Sequence, residues 1–175
     1  MALSHHHSLN EILLRDIQLE DTELFYRLLS NPQVMTFSEG MLSREQVDAW
    51  LSRFSDDINA HLWVIELKAS TQVIGYCSLK QSPYLSGYEV GYRLLPEFWG
   101  KGMAYQALRQ VMDFAFVTLK LSHVFAQIDP NNLRSIQLAK RLGMGFEGEI
   151  KPPGYDYADH VWIMTSTPAD DGQMK

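Results

Sequence analysis

The period of the apolar positions changes repeatedly along the chain, and each change marks a boundary between predicted elements. "EILLRDI", from Glu11, has the short apolar run of a first strand, whereas in "EDTELFYRLLS" Leu24, Leu28 and their neighbours return at helical spacing. In "SREQVDAWLSRF" the apolar residues Val47, Trp50, Leu51 and Phe54 again follow the helical period. Ser43 and Gln46 stand three apart just before them, the pattern of a capping box in which each side chain serves the other's backbone. "LWVIEL", "VIGYCSL" and "YEVGYRLL" come at short intervals and are rich in β-branched and aromatic residues, which predicts an antiparallel meander. From Met103 to Leu119 the positions Ala104, Ala107, Leu108, Val111, Ala115 and Leu119 fall on one face of a long helix. "HVFAQI" is a further strand. The helix after "DPNN" ends with Lys140 and Arg141 before Gly143, a basic last turn and a glycine stop. Two final strands are expected at about 145–151 and 157–165, which completes a mixed α+β order of about seven strands and four helices.

Composition sets limits around this pattern. A chain of 175 residues, 46% hydrophobic and 21% charged, suits a single domain with one core. No repeat or compositional break divides it, and its most polar stretches are the ends, so the domain is placed at residues 9–167 between loose tails at 1–8 and 168–175. The triplet His5, His6 and His7 belongs to the first tail and receives no metal role. The one cysteine, Cys77, lies in a strand-like segment, where a free thiol is most often a small buried apolar group, and it points to a reducing, cytoplasmic compartment. The start lacks the basic and apolar regions of a signal peptide, and no apolar run approaches the roughly 20 residues of a membrane helix.

Net charge is −6, which argues against a nucleic-acid partner gripped through its phosphates. The distribution is more informative. Residues 1–60 carry four arginines against ten acids, while residues 61–150 carry nine basic residues against seven acids. A phosphate-bearing ligand therefore suits the central segment and a cationic one the first third. Within the central segment "WGKGMA", Trp99 to Ala104, joins a strand to a helix through two glycines and a lysine. Such a turn directs backbone N–H groups into a concavity at the positive end of a helix, a cradle for an anion. It is not a P-loop, since Lys101 is followed by Gly102 and the earlier glycine is missing; nor is it a dinucleotide fingerprint, since position 105 is Tyr.

Together with "NLRSIQLAKRLGMGFEGEI" from Asn132, this turn resembles the GNAT family of acetyl-coenzyme A (acetyl-CoA) dependent N-acetyltransferases, in particular the RimJ/RimL type that acts on ribosomal-protein N-termini. The family's Gln/Arg-x-x-Gly-x-Gly/Ala falls on Trp99, Gly102 and Ala104, with a departure at Trp99 that this branch commonly shows. Its Asn-x-x-Ser/Ala helix with a Leu-Gly-Phe-like end falls on Asn132, Ser135, Leu142, Gly143 and Met144. The resemblance implies a GNAT fold, a mixed and mostly antiparallel sheet in which a splayed strand pair forms the acetyl-CoA cleft. It implies that the pyrophosphate rests on the backbone of Trp99, Gly100, Lys101, Gly102, Met103 and Ala104, and that the pantetheine arm lies beside Tyr92, Arg93 and Leu94 with Asn132 hydrogen-bonding it. Asn132 equally suits a helix cap, and Lys101 equally suits solvent or a phosphate.

The resemblance further implies direct attack of an amine on the acetyl thioester, without a metal. A carboxylate must then take the amine proton, and Glu89, on the strand bordering the thioester, is the expected base. Glu39, in the loop between the first two helices on the acceptor side, and Asp159 are its substitutes. The Leu94 N–H is placed at the thioester carbonyl. Where many relatives carry a tyrosine that protonates the thiol, this chain has Ala139; Ser135 takes that role by analogy with the RimJ/RimL type, and Tyr155 and Tyr157 are further hydroxyls without an assigned place. His123 and His160 are read as structural strand residues. The acceptor is a protein N-terminus or a small amine, cationic if the acidic first third covers it. The protein is a monomer or a homodimer. The rival reading is a catalytically silent acyl-CoA binding module on the same fold.

Overall fold

Seven strands of the described residues form one sheet. The computed structural model describes residues 11–38 and 40–166, so the predicted tails, the histidine triplet and Glu39 lie outside the described residues. The strands are β1 (Ile12–Asp16), β2 (His61–Leu67), β3 (Val73–Gln81), β4 (Tyr88–Leu94), β5 (His123–Ile128), β6 (Gly145–Ile150) and β7 (Asp159–Thr165). The helices are α1 (Thr22–Leu29), α2 (Arg44–Asp56), α3 (Met103–Asp113) and α4 (Leu133–Leu142). Their sheet order is β1-β2-β3-β4-β5-β7-β6, and every pairing is antiparallel except that of β4 with β5.

Helices cover both faces. Phe25, Leu28 and Leu29 of α1 and Val47 of α2 pack with Val64 and Tyr76 on one side of the sheet. Ala107, Leu108 and Val111 of α3 and Ile136 of α4 pack with Ile65, Cys77 and Leu79 on the other. Neighbouring residues of β2 and β3 thus enter different cores, which explains why β3 reads as an almost unbroken apolar run instead of an alternating one. Cys77 is fully buried, and burial pushes its thiol well above the ordinary range, so it is inert.

Two predicted helices are shortened. The first opens as a 3₁₀ turn over Leu19–Asp21 before α1, because the Asp21 carboxylate turns inward. It accepts two bonds from Arg15, at 2.8 and 2.9 Å, and one from the Gln18 N–H at 2.7 Å, while Arg15 also donates to Glu66 at 2.7 Å. One guanidinium so ties β1, β2 and the start of α1. Burial alone would raise the Asp21 pKa; the bonds from Arg15 and Gln18 outweigh it and hold the carboxyl below its ordinary value. The expected helix from Met103 to Leu119 is regular only to Asp113 and continues as a π turn, Phe114–Thr118, in which Leu119 N–H reaches Phe114 O at 3.0 Å. The wider turn sets the Phe114 ring edge-on to His61 and Trp63, a tertiary contact that apolar spacing cannot foretell. In α2 the Ser43–Gln46 capping box forms as expected.

β4 and β5 run parallel but meet only at Tyr88 with Val124 and Glu89 with Phe125. From Val90 onward they diverge, and β5 spends its full length on β7. The result is a V-shaped opening in the middle of the sheet.

Candidate active site

The open side of the V is an edge of β4 that is not paired with β5 beyond Glu89. Leu95 N–H bonds Ile74 O of the β3 side at 2.9 Å, and successive residues of a strand point their backbone groups to opposite neighbours. Leu94 and Tyr92 therefore direct N–H and C=O into the opening. The Leu94 carbonyl is taken by the Trp99 indole N–H at 2.8 Å. This bond folds the chain from the end of β4 into the turn, and it gives a physical reason for tryptophan at that position.

The turn then delivers the start of α3. Gly100 and Gly102 sit at φ +74° and +78°, the left-handed region that favours glycine, and Gly102 is the residue preceding the first helical turn. The first bond of α3 is Gln106 N–H to Gly102 O at 3.1 Å, which leaves the preceding N–H groups without an intrahelical partner. Among the described residues no side chain caps them, and no acid lies in the first turn. A Cβ at Gly100 or Gly102 would meet nothing within 4 Å, so the surface above this backbone is open. These residues fit a diphosphate held by backbone amides.

A cleft of about 670 Å³ joins these features. Of the residues singled out from sequence, Tyr92, Arg93, Leu94, Trp99, Gly100, Gly102, Met103, Ala104, Asn132 and Ser135 line it. Lys101 does not; its Nζ lies 5.4 Å from the Phe98 ring centre. Asn132 caps α4, its Oδ1 accepting from Ser135 N–H at 3.2 Å, so the cap role is met and only its amide NH₂ is left for a ligand. The Ser135 hydroxyl lies 3.0 Å from the Tyr92 hydroxyl, across the cleft from α4 to β4. Ala139 is buried in the core.

Glu89 does not line the cleft but stands at its apex, where β4 and β5 part. Its position in β4 puts it on the sheet face of Arg93, opposite to Tyr92, and directly across from Lys80 of β3. Burial pushes its carboxyl above the ordinary range; Lys80 and Ser82 oppose that shift and Asp159 adds to it. Asp159, at the start of β7, is raised by burial and then by Asp129, with His160 opposing. Tyr155 and Tyr157 pack against each other in the β6–β7 connection. His123 contacts Ser122 Oγ and Ser86 O, and His160 packs on Phe146, which agrees with structural roles.

Several residues of the cleft were not singled out from sequence. Arg134 stacks over Trp99 at 4.4 Å and Arg141 over Tyr105 at 4.3 Å, both bordering the opening. Their spacing of seven along one helix was a usable signal, since it places both on one face. Gln33, Val34, Thr36 and Phe37, from the loop after α1, close the far wall. Arg93 donates to Tyr76 Oη and to Ser38 Oγ, tying that loop to β4 from the second face of the sheet. Three arginines and no carboxylate line the cleft among the described residues.

A family model described as "Acetyltransferase (GNAT) domain" matches residues 11–145. The uncharacterized protein YkkB of Bacillus subtilis (strain 168) is 30% identical over 148 residues, 81% of this chain and 86% of that protein. The spermidine N(1)-acetyltransferase of Escherichia coli (strain K12) is 25% identical, over 82% of this chain and 77% of the relative. In fold, the chain is similar to the spermidine N-acetyltransferase of Vibrio cholerae solved in complex with CoA and spermine, with a TM-score of 0.77 at 20% identity over 89% of this chain and 95% of that one.

Proposed function

Because the chain belongs to the GNAT acetyltransferase family and is an N-acetyltransferase with acetyl-CoA as cosubstrate, we propose that it transfers the acetyl group directly to a primary amine in a ternary complex. The observation that carries this reading is the cleft itself. An open strand edge leads into an uncapped helix start, bordered by Arg134 and Arg141 and without a lining carboxylate among the described residues. That combination suits a ligand with an amide-bearing arm and a phosphate end.

The backbone of Trp99 to Ala104 holds the pyrophosphate in this reading, with Lys101 contributing only its N–H. Tyr92 and Leu94 offer backbone groups to the arm, joined by the Asn132 amide. Arg134 and Arg141 add cations for the nucleotide's phosphates. Glu89 accepts the amine proton at the apex, and a carboxyl raised by burial is a better base there than an ordinary one. Ser135 protonates the departing thiol. Glu39 and Asp159 are the substitutes for the base Glu89.

For the acceptor we favour a small cationic amine. Two of the relatives above are spermidine acetyltransferases by name. The acids Glu45, Asp48, Asp56 and Asp57 of α2 and its end are exposed, where they can attract such an amine. A peptide N-terminus, which the RimJ/RimL resemblance implies, is the other acceptor class to be tested. The experiment is a screen for free-thiol release from acetyl-CoA across polyamines, aminoglycosides and peptides. Release that depends on added amine supports transfer. Acetyl-CoA binding without any amine-dependent release is the result expected of a silent module and overturns the proposal.

A further inference from the structure

We propose that Tyr92 is a positioning residue that acts through Ser135, donating its hydroxyl proton to Ser135 Oγ so that the serine's own proton is aimed into the cleft. The proposal rests on the reading of Ser135 as the thiol's acid. It begins from the 3.0 Å contact between the two hydroxyls, one from β4 and one from α4, both on the cleft wall.

Ser135 lies in the first turn of α4, where the carbonyl four residues earlier is outside the helix, so its hydroxyl is not drawn back onto the helix backbone. The partner of the Ser135 hydroxyl is Tyr92 instead. Asn132 accepts from the Ser135 backbone N–H, which holds the main chain at Ser135 beside the cleft. The direction of the shared hydrogen bond follows from acidity. A phenol titrates near 10, far below an aliphatic alcohol, and is the better donor and the poorer acceptor of the two. Tyr92 therefore gives and Ser135 receives, which leaves the serine O–H without a claim inside the pair. Burial pushes the Tyr92 phenol above its ordinary value, with the Ser135 bond opposing, so it stays protonated over the working range.

In the transfer step the amine nitrogen bonds the acetyl carbon, the carbon–sulfur bond breaks, and its electron pair stays on sulfur. Ser135 gives its proton to sulfur and takes the one held by Tyr92. Water returns a proton to the Tyr92 phenolate, and water also receives the proton that the amine lost to Glu89, so the step closes with no net change in the protein. The arrangement supplies from two separate elements what a single tyrosine at position 139 would supply, and Ala139 is buried in the core.

The test uses Tyr92→Phe, Ser135→Ala and the double variant of the full chain. Tyr92→Phe retains the ring that packs in the core around Cys77 and removes only the hydroxyl. Each single variant should lower kcat by about tenfold or more, at or below the usual range of acid–base catalysis, with acetyl-CoA affinity by calorimetry unchanged. The double variant should lose no more than Ser135→Ala alone, because one group acts through the other. Independent losses that multiply overturn the proposal, and so does weakened acetyl-CoA binding in Tyr92→Phe. If Ser135→Ala is slowed and Tyr92→Phe is not, Tyr92 has no part while the reading of Ser135 survives. A second readout needs no acceptor: ultraviolet titration of the CoA thiolate bound to the protein. The thiol should titrate about one unit higher, a tenfold weaker acid, in either variant than in the wild type. That shift in a chain that acetylates no amine would retain the Tyr92–Ser135 pair and refute the transferase reading; equal titration in all proteins overturns the pair.

Discussion

Replacing Gly102 by alanine separates the phosphate cradle from the fold. At φ +78° a non-glycine residue costs about 1–2 kcal/mol, and the added Cβ meets nothing within 4 Å, so no packing is lost. For a domain of this size that strain lowers Tm by about 2–8 °C, and the protein stays folded at room temperature. In the complex the same methyl stands over the amides to which the pyrophosphate must approach. Losing even one charge-assisted hydrogen bond there is worth about 1.5–3 kcal/mol, or about 10- to 100-fold in Kd. Valine is the worse probe, because a β-branched residue in the left-handed region confounds binding with folding. Gly143→Ala is the control: that glycine ends α4 at φ +91°, also with nothing near its missing Cβ, and does not line the cleft. The two variants should lose similar stability by differential scanning fluorimetry, but only Gly102→Ala should lose acetyl-CoA affinity by calorimetry. Wild-type affinity in Gly102→Ala would remove the phosphate role of this turn; an equal loss in Gly143→Ala would show that affinity merely tracks stability.

Glu89→Gln should reduce kcat by about 10²-fold with little change in acetyl-CoA binding, and it should abolish the rise of kcat/KM with pH through a carboxyl pKa above the ordinary value of about 4.3. Because burial favours the protonated form in the folded chain, Glu89 lowers stability as pH rises through that window, so the variant should melt no lower than wild type at neutral pH; a lower Tm would contradict the burial argument. Arg15→Met should strand the buried Asp21 carboxylate and cost about 3–5 kcal/mol in urea unfolding. In the wild type the lowered Asp21 pKa contributes stability above the unfolded value of about 3.9 and loses it as pH falls through the folded value, and this acid limb should vanish in the variant. With a cationic acceptor, KM should rise with salt as the screening length shrinks from about 10 Å at 0.1 M, and neutralising Glu45, Asp48, Asp56 and Asp57 together should flatten that dependence; an acceptor KM indifferent to salt would leave those acids as a solvated face.

The order of the elements was legible because each local signal is short-ranged. Ser43 and Gln46 announce the start of α2 three residues apart, Gly143 announces the end of α4, and the β-branched and aromatic segments after residue 60 announce the meander. The cradle was legible for the same reason, since Trp99 to Ala104 is one contiguous turn whose glycines imply both the backbone conformation and the open surface above it. The charge split was likewise readable by counting. Residues that meet across the sheet were not. That β4 and β5 part after Glu89 depends on β5 pairing instead with β7, over thirty residues later in the chain, which puts Glu89 at the apex and the Tyr92 and Leu94 backbone on the open edge. The Trp99 indole on the Leu94 carbonyl, Arg134 over Trp99, Arg93 between Tyr76 and Ser38, and Tyr92 on Ser135 each join residues whose separation carries no periodic signal. Local propensity and patterning act over a turn or a strand and so specify the pieces and the phosphate turn. The chemistry at the cleft depends on side chains brought within about 3 Å by packing, and that proximity exists only once both cores have closed on the sheet.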